Sequence, residues 1–204
     1  MIVTGEGQIA VQPDTASVNL GVITEDKELI PAQQQNSITG TQLINALVSI
    51  GIEKNNIKTF DYRIESDYDY DQGKQIFRGY KVTHILQVNI DDLSTVGNVV
   101  DTAVQNGANY IANVQFTAKS KESYYNQALS MALKNAGEKA KTIANTINVS
   151  LFVTPVLVTE GGGTVQPFES QQTFVKGVSS TQLEPGQLVI KATVSAEYKY
   201  SPNY

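Results

Sequence analysis

The chain has 204 residues, of which 41% are hydrophobic and 17% are charged, and its formal net charge is -5. This composition predicts an ordered globular protein with one sizeable core, and the acidic balance argues against a general nucleic-acid binder, which needs a basic stripe to neutralise phosphates. The lack of cysteine excludes disulfides, thiolate nucleophiles and zinc–thiolate sites, and no apolar run approaches the ~20 residues that span a bilayer.

The first half of the chain alternates between strand and helix patterns. Residues 8–23 carry apolar side chains at every second position, which predicts a half-buried strand. A helix is predicted next, because Pro31 suits its first turn and Gly51 lies just past its end. The stretches 58–69 and 75–90 are typical of two strands around a polar turn and predict a hairpin.

The second half is predicted to contain a short helix followed by strands. An aspartate cap, an apolar stripe and a terminating glycine predict a short helix in the stretch 91–107, and a strand follows over 110–117. Alternating apolar residues predict further strands over 151–159 and 188–196. Between these last two, the Gly-, Gln-, Ser- and Thr-rich stretch 160–186 is predicted to be a flexible loop or hairpin insertion.

The longest periodic signal in the chain predicts a helix over 121–147. Apolar residues recur there at spacings of three and four, and most of them are alanine. Small residues let a helix lie close against a sheet, so this helix is expected to be a structural element and not a site. The stripe consists of Leu129, Ala132, Leu133, Ala136, Ala140, Ile143, Ala144 and Ile147.

The order of these elements predicts an α+β fold. Antiparallel or mixed sheets are expected to pack against the long alanine-rich helix and two shorter helices. A single domain over 1–204 is expected, and two closely packed subdomains over about 1–90 and 91–204 are the alternative.

Three alternating carboxylates raise the question of a metal site. Asp67, Asp69 and Asp71 occupy positions 1, 3 and 5 of a calcium-loop register. That register requires glycine sixth and a bidentate glutamate twelfth, whereas the chain has Gln72 and Arg78 there. The pattern therefore favours a solvated hairpin tip, and neither a metal site nor a cofactor is predicted.

Four tyrosines surround this predicted turn: Tyr62, Tyr68, Tyr70 and Tyr80. Tyrosine is enriched at protein–protein interfaces, since it combines a large apolar ring with a polar tip. These four residues are the candidate interface with a partner subunit.

Two glycine-rich stretches resemble phosphate-binding loops without meeting their requirements. The stretch Gly5–Ala10 fits the spacing of a dinucleotide fingerprint, but the chain continues as a strand pattern where the fingerprint needs a helix. Gly161–Gly163 lacks the following Lys-Ser/Thr of a P-loop. Nucleotide binding is therefore not predicted.

His84 is the only histidine and the weak candidate for a general base. It shares a predicted strand face with Val82 and Leu86, so packing with one ring nitrogen hydrogen-bonded is the favoured interpretation. A triad would also need a nucleophile and an orienting acid, and no Gly-x-Ser-x-Gly elbow occurs. A binding or hydrolytic site that uses His84 or Asp61 is the alternative hypothesis.

Several segments together resemble the SIMPL domain family, the YggE-like proteins of bacteria. They occur in the family's order and cover most of the chain, outside the variable stretch near 160–180. The segments are "GEGQIAVQPDTASVNLGV", "IKTFDYRIESDYDY", "RGYKVTHILQVNIDDLSTVGNVVDTAVQNGAN", "NQALSMALKNAGEKAKTIA" and "LEPGQLVIKATVSAEY".

The resemblance implies a SIMPL-type α+β protein that is exported to the periplasm, cell envelope or medium. It implies an association with envelope or oxidative-stress phenotypes and, for some members, ring- or channel-like homo-oligomers. It implies no established reaction and no catalytic residues. The chain opens on the strand pattern "MIVTGEG" with no visible leader, so either a signal segment was removed or the protein is cytoplasmic.

Two hypotheses of function follow from the sequence. The favoured one is a non-enzymatic, exported, self-associating protein of the cell envelope, linked to stress response, whose tyrosine-rich strands pair across subunits. The alternative is a small-molecule-binding protein or hydrolase with a pocket between sheet and helices.

Overall fold

The computed structural model describes residues 1–71, 74–167 and 183–203. The helices are α1 (Leu29–Ser49), α2 (Val96–Gln105) and α3 (Lys121–Thr146), with short 3-10 turns at Lys54–Asn56 and Leu93–Thr95. The strands are β1 (Ile2–Val11), β2 (Thr15–Asp26), β3 (Ile57–Asp71), β4 (Lys74–Ile90), β5 (Tyr110–Thr117), β6 (Val149–Leu151), β7 (Leu157–Pro167), β8 (Leu188–Glu197) and β9 (Tyr200–Pro202). The predicted α+β class is confirmed.

The described residues form two compact units. The terminal unit contains 1–13, 118–167 and 186–203, and the central unit contains 14–71, 74–117 and 183–185. The single domain over 1–204 stays a prediction, and the alternative division near residue 90 has different bounds from these units. The physical reason is long-range strand pairing, because β1 at the start of the chain pairs with β8 near its end.

The central unit is a four-stranded antiparallel sheet in the order β3-β4-β2-β5. Its core lies between one face of the sheet and the helices α1 and α2. Even-numbered residues of β2 and β4 point into this core, as the two-residue period of a strand requires. The core includes Val18, Leu20, Val22, Leu43, Leu47, Leu86, Val88, Ile90, Val96, Val99, Val100 and Ala103.

The helix ends of the central unit follow the predicted signals. Gly51 adopts a φ of 101° after α1, and its N–H donates to the Val48 carbonyl at 3.0 Å. The Asp92 carboxylate accepts from the Ser94 N–H at 3.0 Å and caps the turn before α2. The predictions for both helices are confirmed, with bounds that differ by a few residues.

The hairpin of β3 and β4 extends past the rest of its sheet. β2 pairs with β4 only from Ile90 to Tyr80, whereas β3 follows β4 to Lys74. Among the described residues, 67–71 and 74–79 therefore form a two-stranded projection, which we call the hairpin arm.

The terminal unit packs α3 against a three-stranded antiparallel sheet in the order β1-β8-β7. The predicted helix is confirmed, but part of its predicted stripe is wrong, because Leu133, Ile143 and Ile147 are exposed. Every fully buried position is an alanine four residues from the next, since only small side chains fit between helix and sheet at this distance. These residues are Ala128, Ala132, Ala136, Ala140 and Ala144.

Two predicted strands are each divided in two. The predicted strand 8–23 is interrupted around Pro13, which cannot donate to a ladder. The predicted strand 151–159 is interrupted around Pro155, and its second half continues as β7. Residues 160–167 of the predicted insertion are therefore strand, and 168–182 lie outside the described residues.

Candidate functional site

The hairpin of β3 and β4 exposes a row of aromatic side chains on one side. Tyr62, Tyr68 and Tyr70 lie at even positions of β3, and directly opposed residues of an antiparallel pair share a face. Tyr80 lies opposite Ser66, and Phe77 lies opposite Tyr68. We call this surface the aromatic face; it consists of Tyr62, Ile64, Tyr68, Tyr70, Phe77 and Tyr80.

The rings of the hairpin arm hold one another in place. Phe77 lies edge-on to Tyr68 and to Tyr80, with centroid distances of 5.6 and 5.3 Å. A β-bulge where the register passes from Asp67 to Tyr68 keeps Phe77 and Tyr80 on the same side of β4. Such edge-to-face pairs contribute about 0.5–1.5 kcal/mol each beyond area burial, so the surface is preorganised.

The aromatic face continues the core-facing side of the central sheet. On β4 the inward residues Val88, Leu86 and Val82 are buried beneath the helices, and Tyr80 is the next inward position towards the arm. Beyond that point Tyr70 is 74% exposed and Phe77 is 46% exposed. Apolar side chains thus continue at alternate positions of β3 and β4 into the hairpin arm, where none of the described residues covers them.

The opposite side of the hairpin is charged and internally paired. Arg63 contacts the carboxylates of Asp61 and Glu65 at 3.3 and 3.0 Å, and Arg78 contacts Asp69 at 3.3 Å. Apart from Asp61, which is half-buried, these side chains are largely exposed, so each pair contributes at most about 1 kcal/mol. The charged side is the one adapted to water, which makes the aromatic side the candidate contact surface.

Among the described residues, β3 has a sheet edge without a pairing strand. In the described part of the chain it is the outer strand of its sheet, next to β4 alone. An edge strand offers a row of free N–H and C=O groups to another strand. In the terminal sheet, by contrast, side chains of α3 bind backbone groups of the edge strand β1. Asn135 accepts a hydrogen bond from the Glu6 N–H, and Lys139 donates to the Thr4 carbonyl oxygen at 2.8 Å.

His84 lies at the boundary between the core and the aromatic face. Its ring is edge-on to that of Tyr62 with centroids 5.3 Å apart, and its Nε2 lies 3.5 Å from Thr59 Oγ1. A Cβ on Gly40 of α1 would lie only 3.1 Å from His84 Nδ1. Partial burial lowers the pKa of His84 below its ordinary value of 6.5.

The structure does not bring His84 and Asp61 together. Asp61 lies opposite Ile85 in the ladder, whereas His84 lies opposite Tyr62, so the two side chains point to opposite faces. Asp61 is paired with Arg63. The hypothesis of a hydrolase or small-molecule site around His84 or Asp61 remains a prediction without a supporting cluster among the described residues.

The acidic tip of the hairpin is only partly described. Asp69 is paired with Arg78 at 3.3 Å. The side chain of Asp71, together with Gln72 and Gly73, lies outside the described residues. In the part of the chain that is described, no three histidine, aspartate or glutamate side chains are grouped closely enough to hold a metal ion.

Gly5 and Gly7, which sequence comparison with a dinucleotide fingerprint singled out, have a packing role. They lie within β1 beneath α3, and no helix starts there. A Cβ on Gly5 would lie 2.1 Å from the Ala132 carbonyl oxygen, and one on Gly7 would lie 2.0 Å from that of Ala128. Only glycine allows the helix backbone to approach the strand this closely.

Two asparagines have roles that the sequence patterns did not reveal. Asn36 of α1 is 1% exposed, and its Nδ2 donates to the carbonyls of Val22 and Val82 at 2.9 and 3.2 Å. Asn109 exchanges two hydrogen bonds with the backbone of Ile23. Isolated asparagines carry no periodic signal, so these contacts depend on tertiary structure alone.

No helix among the described residues is long and apolar enough to cross a membrane.

The fold and its surface define an α+β protein with an aromatic hairpin as its candidate site. A family model, SIMPL, described as "Protein of unknown function (DUF541)", matches residues 1–198. The chain belongs to the SIMPL family.

Curated relatives support this assignment. The chain is 31% identical over 154 residues to the "26 kDa periplasmic immunogenic protein" of Brucella melitensis, covering 73% of this chain and 62% of the relative. It is 28% identical over 145 residues to the "Uncharacterized protein YggE" of Escherichia coli, covering 71% of this chain and 59% of the relative. The matched region thus spans less than two thirds of each relative's length.

Proposed function

We propose that this protein is an exported, non-enzymatic protein of the bacterial cell envelope that associates with copies of itself through the aromatic face and the β3 edge. The observation that carries the proposal is the continuation of the core side of the sheet into a ring cluster in which Tyr68 and Phe77 are exposed and Tyr80 is half-buried. In soluble proteins, large exposed apolar patches rimmed by polar residues mark interaction surfaces.

An extracytoplasmic location is supported by the relatives. The similar Brucella protein is named periplasmic, and a cysteine-free chain is compatible with an oxidising compartment. The link to envelope stress rests on the family resemblance.

The distribution of charge favours a second copy as the partner. The chain carries a net charge of -5, so two copies repel each other at long range. The six residues of the aromatic face include no carboxylate, the carboxylate on that face of β2 is Asp26, opposite Tyr80, and α1, on the same side of the sheet, has no ionisable residue from Leu29 to Ser49. This side is therefore where two acidic copies meet with the least repulsion.

A two-fold contact would use the same residues on both copies. In such an isologous interface each exposed ring covers part of the partner's row of rings, and the β3 edges lie within reach of one another. A stable interface of this type buries about 1,000 Å² or more in total. Aromatic residues at its centre are expected to dominate the binding energy.

Light scattering coupled to gel filtration over a range of protein concentrations tests the proposal. Wild-type protein is expected to associate, and the combined substitution Tyr68→Ser, Tyr70→Ser and Phe77→Ser is expected to leave a folded monomer. A matched control removes three exposed apolar side chains from the terminal unit, Phe152→Ser, Val153→Ser and Leu157→Ser, and should still associate. A wild-type mass that stays monomeric at every concentration would contradict the proposal.

A further inference from the structure

We propose that His84 makes this association sensitive to pH, because its neutral imidazole lies beside the aromatic face and its protonated form would place an uncompensated charge there. The inference rests on the proposed self-association. It assigns His84 a regulatory role and not that of a general base.

The position of His84 is fixed on three sides. Gly40 of α1 leaves just enough room for the ring, since a Cβ there would be 3.1 Å from Nδ1. Tyr62 on β3 lies edge-on at 5.3 Å, and Thr59 Oγ1 approaches Nε2 at 3.5 Å. Because Tyr62 is 48% exposed, a copy that covers Tyr62 also removes water from the neighbouring imidazole.

None of the described groups that face His84 can neutralise its positive charge. Tyr62 is the titratable residue on β3 that faces it, and β2 presents Val22 opposite it. α1 contributes no ionisable residue. The nearest carboxylate on that face of β2 is Asp26, four residues from Val22 or ~13 Å along the strand.

The nearby charges on the hairpin lie on its other face and are already paired. Asp61 contacts Arg63 at 3.3 Å, and Lys81 of β4 contacts Glu25 at 3.5 Å. Protonated His84 therefore has neither a carboxylate nor a strong acceptor to offset its desolvation. The lowered pKa of His84 in the single chain has this same cause, which is burial.

The sign of the effect follows from linkage. Further burial in the associated state lowers the pKa of His84 again, so association releases protons and strengthens as pH rises. Self-association is therefore expected to weaken at pH values below 6.5, the ordinary pKa of histidine. If association lowers the pKa by about one unit, the dissociation constant rises about tenfold per histidine, or about a hundredfold for a two-fold dimer.

Sedimentation velocity at about pH 7.5 and about pH 5 tests the inference. The proteins compared are the wild type, His84→Gln, which stays neutral, and the triple variant Tyr68→Ser, Tyr70→Ser and Phe77→Ser. Wild-type protein is expected to associate at the higher pH and to dissociate at the lower one. His84→Gln should associate at both, and no more weakly at the lower pH, where the net charge approaches zero near the pI of about 4.9. Thermal unfolding at each pH verifies that each protein is folded.

The outcomes separate the two proposals. If the wild type associates equally at both pH values, or if His84→Gln shows the same loss as wild type, the pH inference is overturned while self-association stands. A stronger association at low pH, as a cation–π contact between His84 and Tyr62 would give, also overturns it. If the wild type is monomeric at both pH values, both proposals fail.

Discussion

The side chain of Asn109 pairs with the backbone of Ile23 as a neighbouring strand would. Its Nδ2 donates to the Ile23 carbonyl and its Oδ1 accepts from the Ile23 N–H, each at 2.7 Å. The β5–β2 ladder ends at Tyr110 and Gly21, so the Asn109 side chain extends the pairing along β2 by two residues, to Ile23. This contact gives a physical reason for the Gly-Ala-Asn turn that follows α2.

Replacing Asn109 is expected to destabilise the central unit. Asn109→Ala removes both bonds and should lower the free energy of unfolding by about 1–3 kcal/mol. Urea denaturation measures the change. Asn45→Ala, at an exposed position of α1, is the control and should change it by less than about 0.5 kcal/mol. Equal effects of the two substitutions would show that the Asn109 bonds contribute little.

The stability of the protein is expected to depend on the charge of the residue that replaces Asn36. Asn36→Asp would bury a carboxyl group that can donate to one of the Val22 and Val82 carbonyls when protonated and to neither when ionised. Burial raises the pKa of such a carboxyl, so the stability of the variant should fall as pH rises above the ordinary aspartate range. Denaturation of Asn36→Asp and Asn36→Ala at about pH 4 and about pH 7.5 compares the two. The prediction fails if the difference in free energy of unfolding between Asn36→Ala and Asn36→Asp is not larger at the higher pH.

Glycines at two kinds of position in the terminal unit should respond in opposite directions. Gly5→Ala forces a Cβ to within 2.1 Å of the Ala132 carbonyl oxygen, and α3 must move away. A loss of more than about 2 kcal/mol is expected from such overpacking. Gly137→Ala on α3 meets only the Tyr198 hydroxyl at 3.6 Å, and helix propensity predicts a gain of up to about 1 kcal/mol. Thermal melts distinguish the two, and a tolerated Gly5→Ala would contradict the close packing.

His84 also predicts a pH dependence of folding. Its pKa in the folded chain lies below the ordinary value of 6.5, so the unfolded chain binds more protons as pH falls. The free energy of unfolding should therefore decline below about pH 6.5 and level off once folded His84 is protonated. The free energy of unfolding is measured against pH in the triple variant Tyr68→Ser, Tyr70→Ser and Phe77→Ser, so that association does not contribute. The same measurement is made after adding His84→Gln, and the difference between the two profiles gives the contribution of His84. A flat difference would contradict the burial of the ring.

The local patterns of the sequence predicted most elements. The alternation over 75–90 and the caps at Gly51 and Asp92 depend on neighbouring residues, and the structure has them where expected. Local patterns could not show that β1 pairs with β8, because that pairing joins the two ends of the chain. They also could not show which alanines of α3 are buried, since this depends on the distance between helix and sheet.

The candidate site was predictable in part. Tyr62, Tyr68, Tyr70 and Tyr80 were identified from residue type and spacing, and the register places them on one face of the hairpin. Phe77 was missed, because a β-bulge returns it to that face out of the two-residue period. The close approach of His84 on β4 to Gly40 on α1 is a contact between a strand and a helix, so no local sequence pattern could predict it. Their role as an interface remains a prediction.

The most direct test of self-association through the aromatic face is the protection of a thiol placed on that face. The chain has no cysteine, so Ser66→Cys, opposite Tyr80, and Ser130→Cys, on the exposed side of α3, each introduce one reactive group and leave every ring in place. Labelling rates are compared at low and high protein concentration. Our account predicts that the thiol at position 66 reacts more slowly at high concentration while that at 130 does not. Equal rates at position 66 at all concentrations would contradict it.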